Sequence, residues 1–142
     1  MNLFLLHSVA PVAAIDHCDR HVVKMILEIC QLLYTAWWCN QRKVKKLEQD
    51  PCPHDPYKCT HKNHPCAIWV RAQPTHYNWA LELGLNLCSQ YARRYGRIHL
   101  CQSHLDRLLA LKWPEINADS EPLPPCKAPK KRATVGLPSK CE

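Results

Sequence analysis

The chain has 142 residues, which is the size of one ordinary domain and too short for two comfortable hydrophobic cores. Its formal net charge at pH 7 is +7, of which +5 falls on residues 1–118, and this excess favours an anionic partner such as DNA. The chain contains no run of about 18 uncharged apolar residues, and it has only three glycines. These features exclude a membrane span and argue against a glycine-rich phosphate loop.

The first segment, NLFLL at residues 2–6, is apolar but too short for periodicity to separate a strand from an extended buried segment. No basic region accompanies it, so a secretion signal is not predicted. Pro11 follows at a position that suits the first turn of a helix.

A long first helix is predicted from Ala13 to between Trp37 and Asn40, and it carries a narrow polar line. Six polar residues succeed each other at intervals of four, three, four, three and four, which places them on one side of a helix. They are His17, His21, Lys24, Glu28, Gln31 and Thr35, and we call them the polar seam. The other positions are largely apolar, so we expect a mostly buried helix whose seam lines a cleft. A solvated Lys24–Glu28 ion pair is the structural alternative, but buried flanks leave ionisable groups in need of partners.

Residues 41–63 predict a long loop, because prolines and a basic cluster replace the apolar pattern. Six soft or borderline metal ligands lie in this loop and at its exit: Cys52, His54, Cys59, His61, His64 and Cys66. The best zinc-binding set is the pair His61 and His64 with Cys52 and Cys59 as partners. A polar loop with incidental cysteines is the alternative, since one-residue gaps between ligands strain chelation.

A polar cluster precedes the second predicted helix and consists of His61, Asn63, His64 and Arg71. Such groups ahead of a helix N-terminus can hold a phosphate or a flipped base. Alternatively, Asn63 or His64 caps the helix by accepting hydrogen bonds from its first amides.

The second helix is predicted from Pro74 to about Tyr95, with Gly96 as its terminator. Three cations cluster at its end: Arg93, Arg94 and Arg97. They either complement the helix dipole or contact phosphates.

A third helix is expected over about Leu100 to Leu111, with three leucines packing inward: Leu105, Leu108 and Leu109. The prediction is therefore a mostly α, compact single domain of about three helices with a long Cys/His-containing loop over residues 1–118. A basic Pro/Lys-rich tail follows at residues 119–142 and is expected to be extended or disordered. Its KAPKKR run either adds affinity for phosphates, acts as a localisation signal or only aids solubility.

The ten cysteines are predicted to be reduced, because several fall at core-facing helical positions where a thiol packs as a small hydrophobe. Examples are Cys18, Cys30 and Cys88. This indicates an intracellular, reducing compartment, cytoplasmic or nuclear, with a virus-infected host cell as one setting.

Four motifs in order resemble the pyrimidine-dimer DNA glycosylase (endonuclease V) family over about residues 1–99. They are the opening MNLFLLH, a glutamate inside the first long helix, the NHPCAIWVR element and a helix ending in YARRYGR. Cellular members of that family share an N-L-W-x-L-H opening, an N-H-P-Q-L element and a helix ending R-G-Y. The stretches HCDRHVVKMILE and THKNHPCAIWVR are also similar to a group of small proteins from phages and large DNA viruses that have no established activity.

The resemblance implies a helical fold that kinks DNA, flips a nucleotide and attacks a sugar carbon with the N-terminal amine. That amine forms a Schiff base, and a helix glutamate stabilises the cationic intermediate. Aligning the openings and the first helix places Glu28 on the catalytic glutamate and His17 near a family histidine. The chain departs from the family at Leu27, where the family has arginine, and at Asn2, which is large enough to favour retention of Met1.

The leading hypothesis is thus a DNA repair enzyme, a base-excision DNA glycosylase and lyase, that needs no cofactor. Glu28 would be the catalytic carboxylate, and Met1 or Lys24 would supply the amine. The residues expected to contact DNA are His17, His21, His61, Asn63, His64, Arg71, Arg93, Arg94 and Arg97. The alternatives are a non-enzymatic nucleic-acid-binding module stabilised by zinc, and a metal-dependent enzyme that uses His17, His21 and Glu28 with His61 or His64 as ligands.

Overall fold

Five helices lie within residues 2–40, 46–50 and 54–111, which are the residues that this computed structural model describes. They are α1 (Ala10–Asp16), α2 (Asp19–Trp38), α3 (Pro65–Ala72), α4 (Pro74–Tyr95) and α5 (Gln102–Leu111). Residues 46–48 are helical as well, and the described ranges contain no strand. The predicted mostly helical character is confirmed. The predicted tail, residues 119–142, lies outside the described residues.

Helix α2 forms the centre of the fold and packs against α3, α4 and α5, while α1 packs on α4. Its apolar positions recur at helical spacing and supply much of the core. The buried ones include Val22, Met25, Ile26, Ile29, Leu32, Leu33 and Trp37. The Trp37 indole Nε1 donates a 2.7 Å hydrogen bond to the Tyr77 hydroxyl on α4, so the polar tips of two buried aromatic residues satisfy each other.

The long first helix that the periodicity predicts is interrupted, and the prediction of one continuous helix is wrong. Both residues at the junction, His17 and Cys18, have extended backbone, with ψ of 133° and 161°. His17 therefore ends α1 instead of lying inside α2. Neither glycine nor proline marks the break, and the apolar spacing continues across it, so the sequence pattern does not reveal it.

Arg94 stabilises this junction from α4, which packs against both α1 and α2. Its guanidinium donates to Ile15 O at 3.1 Å, His17 O at 2.8 Å and Asp19 Oδ1 at 3.0 Å. The two carbonyls lie at the C-terminal end of α1, where helical partners are lacking. A residue almost 80 positions away thus makes the break stable.

Of the two helices that follow α2, α4 has the predicted boundaries and α3 has no predicted counterpart. Helix α4 begins at Pro74 and ends at Tyr95 as predicted, and Gly96 ends it in the left-handed conformation with φ of 65°. Helix α3 was not predicted, because the NHPCAIWVR segment was interpreted only as the approach to the next helix. His64 caps α3 through Nδ1, which accepts from Cys66 N at 3.1 Å.

Helix α5 begins at Gln102, two residues later than predicted, and it buries Leu105 and Leu108. The inward packing predicted for Leu109 is wrong, because its side chain is 52% exposed. The buried Arg107, which was not predicted to have a structural role, links three residues of the preceding segments to α5. It donates to Asp50 Oδ2 at 2.6 Å, His54 O at 3.1 Å and Leu47 O at 3.2 Å.

Six of the described cysteines are free: Cys30, Cys39, Cys59, Cys66, Cys88 and Cys101. Cys18 is disulfide-bonded, so the prediction of a reduced thiol is wrong at this position. A core-facing position does not distinguish the two states, because a thiol and a half-cystine are both buried readily. Within the described part of the chain, no helix has the length and apolar character that a membrane span requires.

Candidate functional site

The start of the described chain lies directly on Glu28. The backbone N–H of Asn2 donates to Glu28 Oε2 at 2.9 Å. The other carboxylate oxygen, Oε1, lies 3.8 Å from Lys24 Nζ. The Glu28 side chain is 13% exposed whereas that of Lys24 is 71% exposed, so the carboxylate is sheltered and the amine projects toward solvent.

Phe4 brings the N-terminal segment against two histidines, His17 and His21. The Phe4 ring centroid is 5.1 Å from that of His21 and 6.2 Å from that of His17. Leu3 and Phe4 are both buried, which fixes the extended segment on α2. Although His17 lies outside α2, it thus lies near His21 of the seam.

The protonation of His17 follows from its contacts. Its Nδ1 lies 2.6 Å from the carbonyl oxygen of Ala13, which can only accept, so Nδ1 carries the proton. Burial lowers the pKa of His17, and the nearby His21 and Arg94 lower it further, against the opposing effect of the Ala13 hydrogen bond. The neutral ring leaves Nε2 as a hydrogen-bond acceptor.

His21 has the same tendency toward neutrality. Burial lowers its pKa first and Lys24 lowers it further, whereas Glu28 acts in the opposite direction. A neutral His21 imidazole therefore lies within electrostatic reach of the Glu28 carboxylate at neutral pH, and His17 lies on the far side of His21.

Three buried polar atoms on the N-terminal segment and the first half of the seam have no hydrogen-bond partner among the described residues. They are Asn2 Oδ1, His17 Nε2 and His21 Nδ1. Buried polar atoms are normally paired, and unpaired ones gather where a protein binds a ligand or water. The unpaired atoms lie on the same two segments as Glu28 and Lys24, and we call this group, Asn2, His17, His21, Lys24 and Glu28, the Glu28 site.

The predicted polar cluster ahead of α3 lies further along the seam. Thr60 forms two hydrogen bonds with Thr35. Thr35 lies seven residues, or about 10 Å of helix, beyond Glu28. His61 and Asn63 are exposed, and His61 Nδ1 lies 2.6 Å from Thr60 Oγ1. The cluster is thus placed at the second half of the seam, whereas Asn2 covers the first half.

The other predicted residues have different surroundings. Arg71 lies near Cys59, and its Nη1 is a buried donor with no partner in the described ranges. Arg94 is engaged at the α1–α2 junction, whereas Arg93 and Arg97 are exposed. Met1 and Cys52 lie outside the described residues.

Metal binding was predicted for two sets of ligands, the loop set with Cys59, His61 and His64 and the helix set with His17, His21 and Glu28. Within residues 2–40, 46–50 and 54–111, no three His, Cys, Asp or Glu side chains form a group that could hold a metal ion. His64 Nδ1 is already an acceptor for the amide of Cys66.

Sequence reasoning missed three residues of this region: Asn2 as a partner of Glu28, Phe4 as the wall behind the histidines and Arg94 as the clamp of the junction. A signal existed for the first two, because the opening motif that contains them was recognised as a unit.

Comparisons with protein-family models, with curated proteins and with solved structures found no match for this chain.

Proposed function

We propose that the protein is a DNA-binding base-excision enzyme of the glycosylase and lyase type, with Glu28 as its catalytic carboxylate. The single observation that carries the proposal is the 2.9 Å contact between Asn2 N and Glu28 Oε2. If Met1 is removed, this nitrogen is the α-amine itself. If Met1 is retained, the amine is one residue further from the carboxylate.

An α-amine is the better nucleophile of the two amines on offer. Its ordinary pKa is about 8, against about 10.4 for a lysine, so a larger fraction is unprotonated at neutral pH. The exposed Lys24, whose Nζ is 3.8 Å from Glu28, is the alternative amine.

In the proposed reaction the amine attacks C1′ of the target nucleotide while the bond to the base breaks. Opening of the sugar then gives an imine, which permits elimination of the 3′ phosphate. The Glu28 carboxylate would stabilise the positive charge on the sugar and on the iminium nitrogen. The acceptor atom His17 Nε2 would hold a sugar hydroxyl or take up a proton.

DNA as the substrate is supported by charge. The net charge of +7 favours polyanions, and several cations are exposed on the elements around the Glu28 site. These are Arg20, Lys24, Arg93 and Arg97.

Borohydride trapping on DNA that contains one abasic site tests the proposed chemistry. The reductant converts the imine into a stable secondary amine, and peptide mapping of the adduct then identifies the nucleophile. We expect the adduct on the N-terminal peptide, and Lys24→Arg serves as the control that retains it. An adduct that maps to Lys24 would transfer the nucleophilic role to lysine. DNA binding with no adduct would favour the non-enzymatic nucleic-acid-binding module.

A further inference from the structure

Two of the six free cysteines in the described residues are exposed, and they lie next to each other. They are Cys39, at the C-terminal end of α2, and Cys59, in the extended segment before α3. The two thiols lie close enough to affect each other electrostatically. The other four free cysteines are buried.

Hydrogen bonds on both sides of Cys59 hold its segment against α2. On one side, Trp38 Nε1 donates to Tyr57 O at 2.7 Å. On the other side, Thr35 Oγ1 donates to Thr60 O at 3.2 Å and accepts from Thr60 N at 3.3 Å. These hydrogen bonds place Cys59 beside the last turn of α2, where Cys39 lies.

The surroundings of Cys59 shift the pKa of its thiol in both directions. Burial raises the pKa of Cys59, and the neighbouring Cys39 raises it further, while Lys62 and Arg71 lower it. Since the thiolate is the reactive form, exchange at this site should accelerate as the pH rises.

We propose that Cys39 and Cys59 form a reversible disulfide by exchange with a low-molecular-weight disulfide such as oxidised glutathione. One thiolate attacks a sulfur of the small disulfide, forms a mixed disulfide and releases one small thiolate. The second cysteine then attacks the mixed disulfide through its own thiolate and releases the other small thiolate. The cysteine pair is oxidised by two electrons, the small disulfide is reduced to two thiols, and the two cysteine protons go to solvent or to the leaving thiolates.

The bond would tie the C-terminal end of α2 to the segment that leads into His61 and α3. It closes a loop of about 20 residues, and for a domain of this size a raised Tm of about 5–10 °C is expected in the oxidised protein. The proposal is independent of the function assigned to the Glu28 site.

Equilibration of the full-length protein in glutathione buffers of stepped redox ratio, followed by acid quench and non-reducing peptide mapping, tests the proposal. The expected result is a Cys39–Cys59 linked peptide whose fraction follows the ratio of oxidised to reduced glutathione and which disappears with excess reductant. The single variants Cys39→Ser and Cys59→Ser should each retain one mixed disulfide with glutathione at the remaining thiol. Cys88→Ser, which removes a buried thiol, should leave the linkage unchanged. A Cys59 that stays reduced, that links to a different cysteine or that stops at the mixed disulfide in the unmodified chain would overturn the proposal.

Discussion

Glu28 has a different partner on each carboxylate oxygen, a backbone amide on Oε2 and the Lys24 amine on Oε1. The carboxylate therefore has two nitrogen groups within 3.8 Å. An isolated i,i+4 ion pair on a surface contributes little to stability, about 0.3–0.5 kcal/mol. The approach of the N-terminal segment distinguishes Glu28 from such a pair.

His17 allows its two ring nitrogens to be tested separately. The asparagine of His17→Asn can keep the donor to Ala13 O, as Nδ1 does, but lacks an atom at Nε2. The longer glutamine of His17→Gln reaches the position of Nε2 and loses the donor to Ala13. We expect His17→Gln to lower the free energy of unfolding by about 1 kcal/mol more than His17→Asn, because the carbonyl of Ala13 loses its buried partner.

Activity should show the opposite order in this pair. Cleavage of abasic-site DNA should fall about 10-fold or more in His17→Asn and less in His17→Gln, if Nε2 contacts the substrate. Urea denaturation and single-turnover cleavage measure the two quantities on the same preparations. Equal activities in the two variants would remove Nε2 from the site.

At the level of elements, the break between α1 and α2 depends on Arg94. The guanidinium satisfies two carbonyls of the junction and pairs with the exposed Asp19. The bonds to the carbonyls should contribute most of the stabilisation, because the Asp19 side chain is 68% exposed and its charge is screened.

Arg94→Ala should therefore lower the free energy of unfolding by about 2 kcal/mol, since two carbonyl groups lose charged hydrogen bonds. Arg93→Ala, at the exposed neighbouring position, is the matched control and should change it by less than about 0.5 kcal/mol. Urea denaturation at pH 7 gives both values. Equal effects of the two substitutions would show that the junction does not need its guanidinium clamp.

The elements that the sequence predicted well are those whose signals are local. Helix α4 has Pro74 at its start, a regular apolar stripe and Gly96 at its end, and all three signals coincide in the structure. The break at His17 has no local signal, because its stabilising partner is Arg94 on a different helix. The exposure of Leu109 likewise depends on where α5 lies and not on its own periodicity.

The candidate site was predictable only in part for the same reason. Helical spacing alone grouped His21, Lys24 and Glu28. The contact of Asn2 with Glu28 depends on the path of an extended segment, which periodicity does not specify. The spacing predicts His17 as a residue of the same helix as the others. It lies instead at the α1–α2 junction, where it contacts Phe4.

For the whole molecule, buried titratable groups predict how stability depends on pH. Burial lowers the pKa of His17, His21 and His104, so their unfolded forms bind protons first as the pH falls below 6.5. Because the unfolded state then binds more protons than the native state, the free energy of unfolding falls as the pH falls.

Cysteine ionisation extends this dependence to higher pH. The pKa of Cys101 is lowered to about 6, mainly through hydrogen bonding with Cys30 and further through Tyr57 and His99. The unfolded thiol has its ordinary pKa of 9.0, so between pH 6 and 9 the unfolded state binds more protons and the native state gains stability as the pH rises. Burial raises the pKa of Cys88 to about 12, so above pH 9 the order is reversed and stability falls.

The free energy of unfolding should therefore rise from pH 5 to a maximum near pH 9 and then decline. Chemical denaturation under reducing conditions at one-unit intervals measures this profile. The variant Cys101→Ser should flatten the rise between pH 7 and 9 while the loss below pH 6.5 remains. A profile that is already flat from pH 7 to 9 in the unsubstituted chain would contradict the assigned ionisation of Cys101.

The proposed role of Glu28 as a catalytic carboxylate can be measured through the single-turnover rate at which Glu28→Gln cleaves abasic-site DNA. Glutamine keeps the size of the side chain and an oxygen that can accept from Asn2 N, but it removes the negative charge that would stabilise the iminium. Glu82→Gln, which neutralises an exposed carboxylate on α4, is the matched control. We predict a loss of about 10²–10³-fold in rate for Glu28→Gln, with DNA affinity retained and the control unchanged. A rate for Glu28→Gln equal to that of the unsubstituted protein would show that the Glu28 charge takes no part in the reaction.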